Sequence, residues 1–108
     1  MGRTNDTLSF QTAEGREVRL LPLALGTVIE ETPGVRRFQA IKTAPKLLSI
    51  MLEAEPGADL LSVWERVAMR LRDYLSAQGL SVFNVERSPE PPQPNPVSGK
   101  FRQVWAEV

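Results

Sequence analysis

The sequence contains no cysteine and no histidine. Without cysteine, disulfides, thiolate metal sites and cysteine nucleophiles are excluded. Without histidine, the commonest zinc ligand and the usual general base at neutral pH are missing as well. We therefore predict no metal site on this chain.

Long apolar runs and an excess of charge of one sign are also absent. Thirteen basic and thirteen acidic residues cancel, so the general attraction that draws proteins to nucleic acid is missing. No apolar run is long enough to span a membrane and no signal-like leader is seen. The 108 residues, 42% of them hydrophobic, are enough for one domain. We expect a single domain over 1–108, located in the cytoplasm, with neither nucleic acid nor membrane as a partner.

The first third of the chain predicts a hairpin and a helix. Apolar residues alternate with polar ones around Leu8 and again around Val18, which is typical of two short strands. Gly15 lies between them and suits the turn of a β-hairpin. Pro22 suits the first turn of a helix, and the Thr-Pro-Gly stretch at 32–34 predicts its end.

Two strands, a long helix and a further strand follow. Strands are predicted over 37–42 and 48–53, and apolar residues at helical spacing predict a helix from an N-cap at Asp59 to a stop at Gly79. A last strand is predicted over 81–87. This order predicts an α+β fold, in which two helices pack on one face of a small, mostly antiparallel sheet preceded by the hairpin.

The end of the chain is rich in proline. Five of the nine prolines lie between 88 and 96, and such a segment favours extended polyproline conformation. We predict that 88–97 is a semi-rigid spacer that projects the Ser-Gly-Lys-Phe-Arg motif at 98–102 away from the sheet. Trp105 either packs the tail onto the sheet or meets another domain.

Three sequence features resemble the C-terminal domain of the acyl-adenylate-forming ligases, and within them the phenylacetate–CoA ligase branch. The stretch 2–6 is similar to the Gly-Arg-x-Asp-Asp motif that opens that domain after the hinge. Pro22 and the stretch 29–35 are similar to the family's helix, which ends in Pro-Gly-Val. The stretch 98–100, followed by Arg102, resembles the family's closing Gly-Lys motif.

The resemblance implies a C-terminal lid domain of a larger, AMP-forming acid–thiol ligase. Lys100 would be the adenylation lysine, with Arg3, Asp6 and Gly99 as cofactor-binding residues, while Asn5 replaces the first acidic residue of the opening motif. The implied cofactors are ATP with Mg²⁺ and coenzyme A, both bound mainly by an N-terminal adenylation domain. That domain and a small carboxylic acid would be the partners, and the isolated chain is expected to be inactive.

A second hypothesis comes from the residues without the family. Arg36 and Arg37 form the one small basic cluster in the sequence, which is either surface decoration or, in the ligase, a contact for the phosphates of coenzyme A. In the second hypothesis these arginines, or the sheet face, would hold a small anion. The chain would then be a free-standing α+β binding or regulatory module without catalytic activity. Dimerisation through its sheet stays open under this hypothesis.

Overall fold

The computed structural model describes residues 7–12, 14–80, 84–93 and 103–107. The predicted α+β class is confirmed: these ranges contain two helices, a two-stranded sheet and a four-stranded sheet. The elements in chain order are β1 (Leu8–Gln11), β2 (Glu17–Leu20), α1 (Pro22–Glu30), β3 (Val35–Ala44), β4 (Leu47–Ala54), α2 (Leu60–Ala77), β5 (Asn84–Arg87) and β6 (Val104–Ala106).

The predicted hairpin is confirmed as the antiparallel pair β1–β2. Gly15 has φ +83°, a value that glycine adopts without the steric cost of a Cβ. Thr12 closes the loop, since its carbonyl accepts from Gly15 N at 2.9 Å and its hydroxyl accepts from Arg16 N at 3.1 Å.

The four-stranded sheet has the order β5-β4-β3-β6 and is mixed. Only the central pair, β3 with β4, is antiparallel, whereas β5 runs parallel to β4 and β6 runs parallel to β3. The prediction of a mostly antiparallel sheet is therefore wrong for its two outer strands. The 18 residues of α2 span about 27 Å and carry the chain back along β4, so β5 starts in the same direction as β4.

Both helices pack on one face of this sheet, as predicted. Alternate residues of the central strands point to that face, and they share one hydrophobic core with the hairpin and the helices. The sheet contributes Phe38, Ala40, Leu48, Ile50, Leu52, Val85 and Val104 to this core, and the helices contribute Leu25, Ile29, Val63, Val67, Leu71 and Leu75.

The ends of α2 follow the local signals in the sequence. Asp59 is the N-cap, and its carboxylate accepts from Ser62 N at 3.1 Å. At the other end Gly79 has φ +88°, its N–H donates to the carbonyl of Ser76 at 3.0 Å, and Leu80 N donates to the carbonyl of Leu75 at 2.8 Å. This pair of bonds is a Schellman motif, and the buried Leu80 and Leu75 provide its apolar contact.

The face of the sheet opposite the helices is also buried at its centre. Gln39 and Ile41 of β3 and Met51 of β4 are at most 8% exposed there. Part of the proline-rich segment lies against this face, because Pro92 is buried and Gln93 is hydrogen-bonded to Gln39. Pro92 and Gln93 of the predicted spacer therefore lie on the sheet, whereas the motif at 98–102 that the spacer was predicted to project lies outside the described residues.

Candidate functional site

The four predicted site residues, Lys100, Arg3, Asp6 and Gly99, lie outside the described residues. The structure does describe the chain on both sides of the segment 94–102, which includes Lys100 and Gly99. The candidate site consists of the contacts made by the two described residues that flank this segment, Gln93 and Gln103.

The end before the segment is held by a side chain of the sheet. The Nε2 atom of Gln39 donates to the carbonyl of Gln93 at 2.9 Å, and the Oε1 atom of Gln39 accepts from Gln93 N at 3.0 Å. The amide of Gln39 thus pairs with the backbone of Gln93 as a neighbouring strand would. Gln39 is only 2% exposed, so water competes little for these bonds.

The end after the segment is held by the backbone of the next residue of β3. Ala40 N donates to the carbonyl of Gln103 at 2.7 Å, and Val104, 1% exposed, is the register partner of Ala40. Trp105 lies opposite Ile41 in the ladder and is half-buried. Of the two alternatives for Trp105, the structure supports the tail packed onto the sheet.

The described residues on either side of 94–102, Gln93 and Gln103, are thus attached to adjacent residues in the middle of β3. We call Gln39, Ala40, Gln93 and Gln103 the β3 anchor. Gln39 acts through its side chain on the face away from the helices, and Ala40 acts through its backbone at the strand edge. The anchor joins the segment to the rigid centre of the sheet at two points.

Sequence reasoning missed this role of Gln39. The available signal was a polar side chain in a stretch of β3 that is otherwise apolar, from Phe38 to Ile41. A buried amide costs free energy unless it is hydrogen-bonded. Such a residue therefore predicts a partner on the facing segment, although not the identity of that segment.

The cluster of Arg36 and Arg37 is built on a β-bulge. Val35 pairs with Ala54 and Arg37 pairs with Glu53, so Arg36 is an extra residue in β3. A bulge turns neighbouring side chains toward a common side. Arg37 Nη2 lies 2.6 Å from Glu53 Oε1, and Arg36 Nε lies 3.6 Å from Glu53 Oε2. One carboxylate therefore offsets part of the charge of this cluster.

A groove of about 490 Å³ lies where the hairpin meets the end of β3. Two of the three lysines of the chain, Lys42 and Lys46, line it together with Glu17. Lys42 also ties the hairpin to the sheet, since its Nζ donates to the carbonyl of Ser9 at 2.7 Å and lies 4.9 Å from the centre of the Phe10 ring. The contacts of Lys42 thus indicate a structural role.

Two pKa shifts in the described ranges have structural causes. Hydrogen bonds from the side chain and backbone of Ser62 lower the pKa of Asp59, which is the helix cap. Desolvation by burial raises the pKa of Tyr74 on α2. Neither residue belongs to the β3 anchor.

The described ranges contain no group of three or more acidic residues placed to hold a metal ion. Nor does either described helix combine the length and apolar character needed to cross a membrane. No protein-family model, curated protein or solved structure matches this chain.

Proposed function

We propose that the chain is the rotating C-terminal domain of an ATP-dependent acyl-CoA ligase of the phenylacetate–CoA ligase type. The proposal starts from the resemblance of the stretches 2–6, 29–35 and 98–102 to that family. The β3 anchor is the structural observation that supports it, because a lysine delivered by domain rotation needs a firm attachment to the domain. The domain would act in the cytoplasm, where ATP and coenzyme A are available.

The anchor would limit how far Lys100 can move on its own. Three residues of extended chain span at most about 10 Å, so Lys100, three residues before Gln103, could not reach further than that from the attached residue. Gln103 is in turn bonded to Ala40 at 2.7 Å. Rotation of the whole domain, rather than movement of the tail alone, would then carry Lys100 toward and away from the reacting groups.

The chemistry proposed for Lys100 is electrostatic. In adenylation the carboxylate of the acid attacks the α-phosphate of ATP, a P–O bond forms, and pyrophosphate leaves with the electrons of the broken bond. A lysine ammonium directed at the phosphate oxygens stabilises the negative charge that develops there. Arg3 would lie beside the nucleotide near the hinge, and Asp6 and Gly99 would also bind the cofactor. Mg²⁺ would arrive with ATP, and its ligands would lie mainly in the N-terminal domain.

The test is a lysine substitution in the full-length enzyme that contains this domain. Lys100→Ala should lower adenylation, measured by pyrophosphate exchange, by about 10²- to 10³-fold, the range seen when one preorganised charge-stabilising donor is removed. Thioester formation from a supplied acyl-adenylate should be unchanged. Lys46→Ala is the matched control, because Lys46 is an exposed lysine in the turn between β3 and β4. Equal adenylation by Lys100→Ala and Lys46→Ala would refute the role of Lys100.

The alternative function, a small-anion-binding module, would use Arg36 and Arg37. Its support is weaker because Glu53 already pairs with both arginines. Titration with inorganic phosphate separates the two proposals. An anion module predicts phosphate binding by the isolated chain that is lost in Arg36→Ala/Arg37→Ala, whereas the ligase proposal predicts no change in adenylation on this substitution.

A further inference from the structure

Gln39 occupies a position where an apolar residue would be the simpler choice. It lies in the centre of β3 with 2% of its surface exposed, and its ladder partner Met51 is apolar and 8% exposed. A polar side chain at such a place is tolerated when its hydrogen bonds are made. Gln39 makes two of them with one backbone, that of Gln93.

The proline-rich segment offers few backbone donors for any attachment. Gln93 stands between Pro92 and Pro94, neither of which has an N–H. A regular strand ladder cannot form through such a stretch. The glutamine amide, which carries a donor and an acceptor side by side, replaces the missing strand by binding the N–H and the carbonyl of Gln93.

We propose that Gln39 is a positioning residue for adenylation: by holding Gln93 on the sheet, it fixes the point at which the chain leaves the sheet on its way to Lys100. The inference rests on the proposed function, in which Lys100 is the adenylation lysine. Ala40 holds the other end of the segment through Gln103. With Gln93 and Gln103 both held, Lys100 would be carried with the domain, and release of Gln93 would lower the share of molecules in which Lys100 is aligned for adenylation.

The attachment can be measured on the 108-residue chain by limited trypsin digestion. Gln39→Met keeps the side-chain length but removes both hydrogen bonds to Gln93. Without these two hydrogen bonds the segment should open more often to trypsin. For bonds of ordinary strength, the cleavage rate after Lys100 and Arg102 should rise by about tenfold. Met51→Leu is the matched control, a change at the ladder partner on the same face that touches neither bond, and should leave cleavage unchanged. Equal cleavage rates in Gln39→Met and Met51→Leu would overturn the inference.

A second pair of variants tests the same attachment by changing Gln93 instead of Gln39. This pair provides the test if Gln39→Met does not fold. Gln93→Pro deletes the N–H that donates to Gln39 and leaves the sheet intact. Glu90→Pro also adds a proline between two prolines, but Glu90 N donates to Ser88 Oγ at 3.3 Å. Faster cleavage in Gln93→Pro than in Glu90→Pro supports the inference, and equal cleavage contradicts it.

The positioning role is tested in the full-length enzyme. Gln39→Met should lower kcat for adenylation by about 10- to 100-fold, the cost of displacing a reacting group by roughly 1 Å. KM for ATP and for the acid should stay the same, as should thioester formation from a supplied acyl-adenylate. In a Lys100→Ala background, Gln39→Met should cause no further loss, because residues that act through one group are not additive.

The outcomes separate the two proposals. If Lys100→Ala leaves adenylation intact, the proposed function is wrong, whatever Gln39→Met does. If Lys100→Ala abolishes adenylation but Gln39→Met leaves kcat unchanged, only the role of Gln39 is wrong. An equal loss from Gln39→Met with and without Lys100 also overturns that role, because Gln39 would then act through another group.

Discussion

Gly34, in the turn between α1 and β3, should tolerate a methyl group far less well than the other glycines that the structure describes. Its φ is +93°, a conformation that costs a residue with a Cβ about 1–2 kcal/mol. A Cβ at Gly34 would also lie 2.6 Å from Cγ2 of Val63 on α2. Overpacking of this kind costs typically about 1–3 kcal/mol. Gly34→Ala should therefore lower the free energy of unfolding by about 2–5 kcal/mol, the sum of these two contributions.

Gly57→Ala is the matched control for this substitution. Gly57 has φ +86°, almost the same conformation, and a Cβ there would meet nothing within 4 Å. Its cost should be the conformational part alone, about 1–2 kcal/mol. The stiffening of the unfolded chain is the same in both variants, so the difference between them isolates the contact with Val63.

Urea denaturation of the wild type and the two variants measures this difference, with unchanged m-values as the check that only stability has altered. In the double variant Gly34→Ala/Val63→Ala the clashing Cγ2 is absent, and the two losses should be less than additive. Equal destabilisation by Gly34→Ala and Gly57→Ala, within about 0.5 kcal/mol, would refute the packing of this turn against α2. Additive losses in the double variant would refute it independently.

Three further contacts can be tested by substitution, with thermal or urea denaturation as the measurement. Asp59→Ala should lower Tm at neutral pH. Because the pKa of Asp59 is lowered from 3.8, the difference in Tm between Asp59→Ala and the wild type should shrink as the pH falls below that value. Asp59→Asn, which keeps a capping side chain, should have a Tm close to that of the wild type. Lys42→Met should cost about 1 kcal/mol by freeing the hairpin from β3, whereas Lys46→Met should cost nothing measurable. Glu53→Gln should cost at most about 1 kcal/mol, and the loss should shrink as salt is added.

The helix boundaries could be predicted from the sequence because their signals are local. Pro22 is the first residue of α1, Asp59 caps α2 and Gly79 ends it, as the residue types indicated. Each of these positions depends on the conformational preference or hydrogen bonding of residues within one turn. Local preference therefore sufficed for the helices and for the hairpin around Gly15.

β5 lies within the strand predicted over 81–87, but β6 and the parallel direction of both outer strands could not be predicted in the same way. β6 has three residues, Val104–Ala106, which is too few for an alternating pattern to be recognised. Its place beside β3 depends on partners more than sixty residues earlier in the chain. The β-bulge at Arg36 depends likewise on the register of β3 against β4. The sequence of one strand alone does not determine that register.

The β3 anchor combines a local and a non-local cause. Proline composition restricts where the segment 88–96 can be hydrogen-bonded, since five of its residues have no N–H. Gln93 is one of the few that keep a donor, and Gln39 is the residue of the sheet whose side chain bonds to it. Prolines that prevent strand pairing thus make a side-chain amide the available means of attachment. A residue at 39 that lacks an adjacent donor and acceptor would lose at least one of the two bonds to Gln93. A change confined to that one side chain should therefore loosen the chain at Gln93 while the sheet persists.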